Sequence, residues 1–462
     1  MRKTSFHALV LGGLVLLLAA CGGGGSSGGG AGTTQNTSPY PAPPATCAVS
    51  DQRAWLRDFM NDQYFWFDRQ AAPNDAATSM DTYFTSLLYP VVDRYSFSQS
   101  TQQYLQFFTE GKRTGYGYAL AFADAAQTII KVRFVEALSP VGLAGLRRGE
   151  TIVSIDGFTP AQIATGTLPA VSTPGIARNF VVKDTLGAQR SFTAMSAEYA
   201  LTPVSHATVL TAPNGAKVGY LAYQEFITSS ATAMGAAINS FRLAGVTEVV
   251  LDLRYNGGGS TNQARNLASM LGGSRLAGQT FALFRFNAKH SSDNFTQAFT
   301  ASLATLPAAP LETLSRVFVI TSGSTASASE LVINSLRPYM PVVTIGATSF
   351  GKPFGSQPRD ACGTTYSAIS LEVANALGQA NFVNGIAATC AMSDDLTREL
   401  GDPAELRIAG ALSYVATGVC PPVASVPSAQ IARAKRPGDR SAAFDREGNS
   451  FGEVMLPSMR VD

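Results

Sequence analysis

The chain has 462 residues, of which 45% are hydrophobic and 14% are charged, and its formal net charge is +2. This length is sufficient for two or three domains that each bury an apolar core. A net charge so near zero provides no electrostatic footprint for nucleic acid, so we expect no nucleic-acid partner. The low charged fraction and the abundance of small residues are more typical of an exported protein than of a cytosolic one.

The N-terminus has the pattern of an export signal. Basic residues at positions 2 and 3 precede an apolar run over residues 8–18, which is too short to span a bilayer as a helix. Leu18-Ala19-Ala20-Cys21 resembles a bacterial lipobox, which implies a signal peptide at residues 1–20 and lipidation of Cys21. Secretion by cleavage after Ala20 is the alternative. We therefore predict a lipid-anchored protein of the bacterial cell envelope that faces the periplasm or the cell surface.

Composition separates the flanking segments from the folded part. Residues 21–46 are rich in Gly, Ser, Thr and Pro, which predicts a flexible linker after the lipidated cysteine. Residues 421–462 are first rich in Pro, Ala and Ser and then charged, which predicts a disordered tail. Residues 47–110 have apolar residues at helical spacing and predict a small helical unit that packs on the rest of the chain. Its apolar residues include Trp55, Leu56, Phe59, Met60, Tyr64, Phe65, Trp66, Phe67, Tyr83, Phe84, Leu87 and Leu88.

The four cysteines after Cys21 are an even number in a chain predicted to be exported, and this favours two disulfides. Three connectivities are possible, and we expect the pairs Cys362–Cys390 and Cys47–Cys420. A zinc site is the alternative, but no Cys-x-x-Cys spacing occurs and no histidine lies near these four cysteines in sequence. We therefore expect neither a metal nor a cofactor.

Residues 111–200 have the pattern of a small β-domain. A short helix at residues 140–146, a turn at Arg148-Gly149 and a strand that ends at Asp156-Gly157 follow the run Gly115-Tyr116-Gly117. This arrangement resembles a PDZ domain in a permuted form, which implies that an extended peptide binds as an added strand. The turn Gly115-Tyr116-Gly117 is the candidate for capture of the peptide's terminal carboxylate. A role as a packing module alone is the alternative.

Residues 201–420 alternate between strand-like and helix-like runs, which predicts an α/β domain. Residues 217–223 read as a strand, and residues 230–243 and 261–271 read as helices. The buried-type strand that starts at Val249 continues into Asp252-Leu253-Arg254-Tyr255-Asn256-Gly257-Gly258-Gly259. Such a glycine turn can bring backbone amides close to a ligand and could form an oxyanion hole. A phosphate loop or a plain turn is the alternative, but the G-x-x-x-x-G-K-[ST] pattern is absent.

Two further turns carry candidate catalytic side chains. Thr325-Ala326-Ser327-Ala328-Ser329-Glu330 lies between an apolar strand and a helix, where a hydroxyl can be presented beside free helix N-terminal amides. Phe350-Gly351-Lys352 follows the next strand. Because the neighbours of this lysine are uncharged, an apolar pocket could lower its pKa enough for it to act as a base. A solvated lysine and a common small-residue turn are the alternative reading.

The three turns together resemble the S41 peptidases, the family of C-terminal processing or tail-specific proteases, and the resemblance covers roughly residues 111–420. It implies a ClpP/crotonase-like superhelical α/β domain at residues 201–420. Serines 322, 324 and 329 are local alternatives for the nucleophile, and the register of the motif favours Ser327. The family commonly has a glutamine four residues after the lysine, whereas here Gln357 stands five residues after it. The resemblance implies Ser327 as nucleophile, Lys352 as general base, Gln357 as its orienting residue, Gly259 and Ala328 as oxyanion-hole amides, and Glu330 and Gly258 as supporting residues.

The scarcity of histidines is consistent with this mechanism. Beyond the leader the chain has only His206 and His290, and both are predicted to lie at the surface. A Ser-His-Asp triad would need one of them. Two functions therefore remain open. The first is a serine endopeptidase with a Ser/Lys dyad that cuts exported proteins near their C-termini, and the second is a catalytically inactive peptide- or ligand-binding lipoprotein on the same fold. The oligomeric state is left open.

Overall fold

The computed structural model describes residues 42–124 and 128–422, together with two short strands at residues 450–452 and 458–460. For these last two strands only the backbone pairing is described. The predicted signal peptide, Cys21 and most of the predicted linker lie outside the described residues, as does most of the predicted tail. Within the described residues, no helix combines the length and apolarity that a membrane span requires.

The N-terminal unit is helical, as its apolar spacing predicts. The first helix buries one face through Trp55, Leu56 and Phe59. A serine caps the N-terminus of each of the next two helices. The hydroxyls of Ser79 and Ser100 each accept a hydrogen bond from a backbone N–H of the first helical turn. The elements of this unit are α1 (Val49–Gln63), α2 (Met80–Ser86), β1 (Phe97–Ser100) and α3 (Thr101–Phe108).

The following region is a β-domain with a core of its own. Five of its strands form one antiparallel sheet in the order β3-β4-β5-β6-β7, and β2 pairs with β8 beside it. Its apolar cluster consists of residues between Tyr116 and Ala194. The elements are β2 (Lys112–Gly115), β3 (Tyr118–Phe122), β4 (Ile130–Val135), α4 (Pro140–Leu143), β5 (Thr151–Ile155), α5 (Pro160–Ala164), β6 (Ala177–Lys183), β7 (Gln189–Met195) and β8 (Ala197–Ala200).

The remaining described part is the mixed α/β domain that the alternation of runs predicts. Its strands and helices are β9 (Val204–Thr211), β10 (Lys217–Tyr223), α6 (Ser230–Ala244), β11 (Glu248–Asp252), β12 (Gly258–Ser260), α7 (Thr261–Gly272), β13 (Thr280–Phe286), β14 (Phe295–Ala298), β15 (Val317–Thr321), α8 (Ala328–Leu336), β16 (Val342–Gly346), β17 (Phe354–Ser356), β18 (Arg359–Ala361), β19 (Thr364–Ser367), β20 (Ile369–Ala374), β21 (Cys390–Ala391) and α9 (Leu406–Thr417). The two later strands are β22 (Ser450–Gly452) and β23 (Ser458–Arg460).

Two sheets of this domain position the candidate site. The first has the order β21-β16-β15-β11-β10-β9, and its central strands β10, β11, β15 and β16 run parallel. The carboxyl ends of these strands therefore meet at one edge, where the turns after β11, β15 and β16 converge. The second sheet has the order β12-β23-β17-β20-β13-β14. The largest apolar cluster of the described residues is contributed by both sheets and by α6, α7 and α8.

Two disulfides form, but the predicted pairing is wrong. The structure joins Cys47 to Cys362 and Cys390 to Cys420, with Cα–Cα distances of 5.6 and 5.4 Å. The first bond fastens the start of α1 to the turn between β18 and β19. The second fastens β21 to the chain that leaves α9. Connectivity follows from which strand edges meet in three dimensions, and the sequence positions of cysteines carry no information on that.

Candidate active site

Ser327 occupies the sharp turn between β15 and α8. Its backbone has φ of +61° and ψ of −115°, an unusual conformation for a residue with a side chain. Its side chain is fully buried, and its Oγ has no hydrogen-bond partner among the described residues. Strained backbone of this kind clusters at functional sites. The next residue, Ala328, is the first residue of α8. Its backbone N–H, like the others of the first helical turn, has no acceptor within the helix.

The other serines of this turn have structural partners. The Ser322 hydroxyl donates to the Arg254 carbonyl, and the Ser329 hydroxyl donates to the Asn256 carbonyl over 3.0 Å. The Ser324 hydroxyl accepts from Arg133 over 3.2 Å. These three side chains fasten the serine turn to its neighbours. The contrast with the unpartnered Ser327 Oγ favours Ser327 as the nucleophile.

Glu330 joins the serine turn to the lysine loop. Its buried carboxylate accepts hydrogen bonds from the backbone amides of Ser327 (2.9 Å), Gly351 (2.6 Å) and Lys352 (2.8 Å), and from the Ser349 hydroxyl. Burial raises the pKa of Glu330, and these hydrogen bonds oppose the rise. Four donors point at the two carboxylate oxygens, and such donors stabilise the ionised carboxylate relative to the protonated acid. Glu330 therefore positions both candidate catalytic residues through their backbone.

Lys352 is almost completely buried, with 1% of its surface exposed. Burial lowers the pKa of its ammonium to about 7, although the carboxylates of Asp93 and Glu330 raise it in part. A lysine with this pKa is neutral in a substantial fraction of molecules near neutral pH. It can then accept a proton, as a general base must.

The N-terminal unit contacts the lysine loop directly, which the sequence did not reveal. The Tyr95 hydroxyl donates to the Gly351 carbonyl over 2.8 Å, and the Arg94 guanidinium donates to the Phe350 carbonyl over 2.9 Å. The Tyr95 ring centroid lies 6.0 Å from the Lys352 Nζ. Asp93, the anion nearest to these residues in sequence, is itself fixed by donors from Tyr64 and Ser96. No local signal distinguishes these residues, which lie some 250 positions before the lysine.

The glycine turn after β11 is held against the serine turn. Asn256 accepts from the amides of Gly258 (2.8 Å) and Ala326 (3.1 Å), so it connects the two turns. Gly259 has φ of +130°, and a Cβ at this position would lie 2.1 Å from the Phe226 carbonyl oxygen. Only glycine fits here. Gly258 and Gly259 form β12 with Ser260, so backbone groups of this turn are arranged for strand pairing.

A buried charge network lies behind the glycine turn. The Arg254 guanidinium contacts Asp252, Glu405 and Asp394 at 2.8 Å each. Arg148 of the β-domain also contacts Asp394 at 2.8 Å. Burial disfavours the charged form of Asp394, but Arg148 and Arg254 hold its pKa well below the usual range. The sequence pattern includes Asp252 and Arg254, whereas their three partners come from distant segments and were missed.

The remaining predicted site residues belong to other segments of the chain. Gln357 follows β17, and its buried Oε1 has no hydrogen-bond partner among the described residues. The turn Gly115-Tyr116-Gly117 lies directly before β3, and the Tyr116 hydroxyl donates to the Ile176 carbonyl. His290 contacts Asp62 and Asp293 on its two ring nitrogens, and His206 is exposed.

The mixed α/β fold and the similarities to known proteins indicate a serine-type peptidase. Residues 217–383 match the model of peptidase family S41, so this part of the chain is a domain of that family. The chain is similar to the carboxyl-terminal-processing protease of Picosynechococcus sp., with 24% identity over 310 residues that cover 65% of this chain and 70% of that protein. It is also similar to the protein of the same name from Synechocystis sp., with 23% identity over 320 residues, 65% of this chain and 68% of that one.

A solved structure supports the same fold over a larger part of the chain. A protein from Bacteroides fragilis that is described as an S41 protease superposes with a TM-score of 0.63 and 26% identity. The match covers 79% of this chain and 97% of that one. The likeness therefore extends beyond residues 217–383, and the predicted resemblance to the S41 peptidases is confirmed.

Proposed function

We propose that this protein is a serine endopeptidase with a Ser327/Lys352 dyad, anchored in the cell envelope through lipidated Cys21. The observation that carries the proposal is the Glu330 carboxylate, which holds the backbone of both residues at once. The lowered pKa of Lys352 and the unpartnered Ser327 Oγ support it. The two disulfides support an oxidising compartment, as expected for an exported chain.

In this mechanism the neutral Lys352 Nζ accepts the proton of the Ser327 hydroxyl while Oγ attacks the peptide carbonyl carbon. The amides of Gly259 and Ala328 donate hydrogen bonds to the oxyanion that forms. The Lys352 ammonium then gives the proton to the leaving amine as the C–N bond breaks, which leaves an ester on Ser327. Water hydrolyses this ester, with Lys352 again as the base.

We further propose that the substrates are exported proteins cut near their C-termini, which the β-domain captures beside Gly115-Tyr116-Gly117. The support is the position of this turn directly before β3, whose outer side pairs with an added extended strand, β22, in the structure. The names of the two cyanobacterial relatives are consistent with such substrates.

The test is cleavage of an unstructured protein by a soluble chain that starts at Gly22. Ser327→Ala and Lys352→Ala should each reduce kcat/KM by about 10³-fold or more, with unchanged circular dichroism. Ser324→Ala and Lys289→Ala are matched controls and should retain activity. The Ser324 hydroxyl accepts from Arg133, and the Lys289 ammonium donates to the Asn61 carbonyl over 2.6 Å, so neither side chain has a role in the dyad. A fully active Ser327→Ala protein would disprove the dyad. An inert wild type that still binds peptide would favour the inactive binding protein.

A further inference from the structure

The predicted tail contributes two strands to the folded body. Strand β23 lies between β12 and β17 in the second sheet. It runs parallel to β12, with Gly258 opposite Ser458 and Gly259 opposite Met459, and its Arg460 is opposite Ser356 of β17. The tail therefore bridges the gap between two strands that are not otherwise neighbours in this sheet.

This gap lies between the two halves of the candidate site. Strand β12 contains both glycines of the oxyanion turn, and β17 begins two residues after Lys352. An extended substrate that pairs with either strand needs the backbone groups that β23 uses. Ser327 is 0% exposed and Lys352 is 1% exposed. A polypeptide substrate therefore reaches either residue only after part of the surrounding chain has moved.

The same tail also occupies the edge of the β-domain. Strand β22 pairs antiparallel with β3, and its residues Ser450, Phe451 and Gly452 are opposite Ala121, Leu120 and Ala119. Because this direction leads towards Gly115-Tyr116-Gly117, β22 takes the place that we propose for a substrate peptide. Six residue steps separate Gly452 from Ser458, which span at most about 20 Å. Two strands of the same tail therefore pair at the two places where we propose that a substrate binds.

We propose that the tail strands β22 and β23 are cis-acting occupants that keep the peptidase latent, and that a substrate polypeptide must displace them from β3 and from the gap between β12 and β17. The effect on cleavage rests on the proposed function. The binding of the tail to β3, β12 and β17 does not, because it can be measured without catalysis. A tethered strand competes at a high effective concentration, so free peptides gain access poorly while the tail is present. In this proposal the tail controls access to the backbone groups of β12 and β3 with which it pairs, and it does not alter the chemistry of Ser327.

The first test measures binding without catalysis. A fluorescent peptide of residues 446–462 is titrated into two Ser327→Ala proteins, one that ends at Asp462 and one that ends at Pro422. The shorter protein retains both disulfides and every residue of the described apolar clusters. We expect saturable binding to the shorter protein and at least tenfold weaker binding to the longer one. Absence of binding to the shorter protein, or equal binding to both, would overturn the proposal.

A matched pair of peptides tests whether backbone pairing is responsible. Proline removes the N–H that a strand donates and is not tolerated in a strand with neighbours on both sides, whereas alanine keeps the backbone. The Met459→Pro peptide should therefore bind at least tenfold more weakly than the Met459→Ala peptide. Equal affinities would contradict occupancy of the position between β12 and β17.

The second test measures the consequence for activity. Removal of residues 423–462 from the active chain should raise kcat/KM for an unstructured protein at least tenfold, and the 446–462 peptide should inhibit the shortened enzyme. An unchanged kcat/KM would overturn latency. Intact mass of the full-length chain is the control: loss of residues 450–460 from wild type but not from Ser327→Ala would show that the tail is a substrate and not a stable occupant. If neither enzyme cuts but the binding results hold, only the proposed peptidase function fails.

Discussion

The N-terminal unit and the β-domain contact the catalytic domain in different ways. The N-terminal unit shares an apolar core with it, since one cluster contains Trp55 and Phe59 together with Phe354 and Tyr366. Strand β1 also pairs with β19, and the Cys47–Cys362 disulfide crosses the same boundary. Separation of this unit would expose a common core and break a covalent bond.

The main apolar cluster of the β-domain contains residues of that domain alone. A smaller cluster joins Tyr199 of β8 to three aromatic residues of α3 and to Ile227. The contacts of the β-domain with the catalytic domain include Arg148, which reaches Asp394 and the Arg398 carbonyl, and Arg133, whose guanidinium lies 4.9 Å from the Tyr255 ring centroid. Polar interfaces within a chain allow relative motion more readily than shared apolar cores. The comparison teaches that the unit holding the lysine loop shares a large core with the enzyme, whereas the proposed peptide-capturing domain is attached through polar groups and one small apolar cluster.

Removal of one aromatic side chain from each region should give the largest difference. Phe354→Ala deletes a buried ring of the shared core next to Lys352 and should lower the free energy of unfolding by about 3–5 kcal/mol. Phe180→Ala should destabilise the β-domain by a similar amount but leave the catalytic sheet protected. Hydrogen exchange of the β15 and β16 amides distinguishes the two. If the β15 and β16 amides lose protection equally in both variants, the β-domain is as tightly coupled to the catalytic sheet as the N-terminal unit is, and the proposed difference between the two regions is wrong.

Loss of the arginine between the domains should have a smaller effect. Arg148→Met removes one of two cations on buried Asp394, and we expect a loss of about 3 kcal/mol, the lower end for a broken buried pair, because Arg254 remains. Arg190→Met is the matched control, since Arg190 pairs with Glu150 inside the β-domain and is partly exposed. We expect less than about 1 kcal/mol for the control. Urea unfolding measures both, and equal losses would mean that Arg148 has no special role between the domains.

The parts of the candidate site that depend on local order along the chain are those that the sequence allows one to predict. The serine turn, the glycine turn and Lys352 each follow a strand, and the parallel sheet brings them together. Asp93, Arg94 and Tyr95 could not be predicted, because their role depends on where the N-terminal unit packs. The disulfide pairing failed for the same reason. Strands β22 and β23 lie in a polar segment predicted to be disordered, where pairing depends on an edge supplied by another part of the chain.

The electrostatic contribution of the N-terminal unit to Lys352 gives the smallest and most specific prediction. The dyad needs neutral lysine, so kcat/KM should rise with pH and reach half its plateau near pH 7. Asp93→Asn removes an anion that favours the ammonium, so the pKa of Lys352 should fall further and the rising limb should move to lower pH. Glu330 remains as the other anion that raises the lysine pKa.

Asp62→Asn is the matched control, because Asp62 belongs to the same unit but contacts His290 instead of the lysine loop. Its pH profile should coincide with that of wild type. A shift of the limb in Asp93→Asn but not in Asp62→Asn would show that the N-terminal unit sets the protonation of the base as well as its position. If the rising limb is unchanged in both variants, the N-terminal unit acts on the lysine loop only through the hydrogen bonds of Arg94 and Tyr95 to the loop backbone. A limb that moves to higher pH would contradict the assignment of Lys352 as a base that acts in its neutral form.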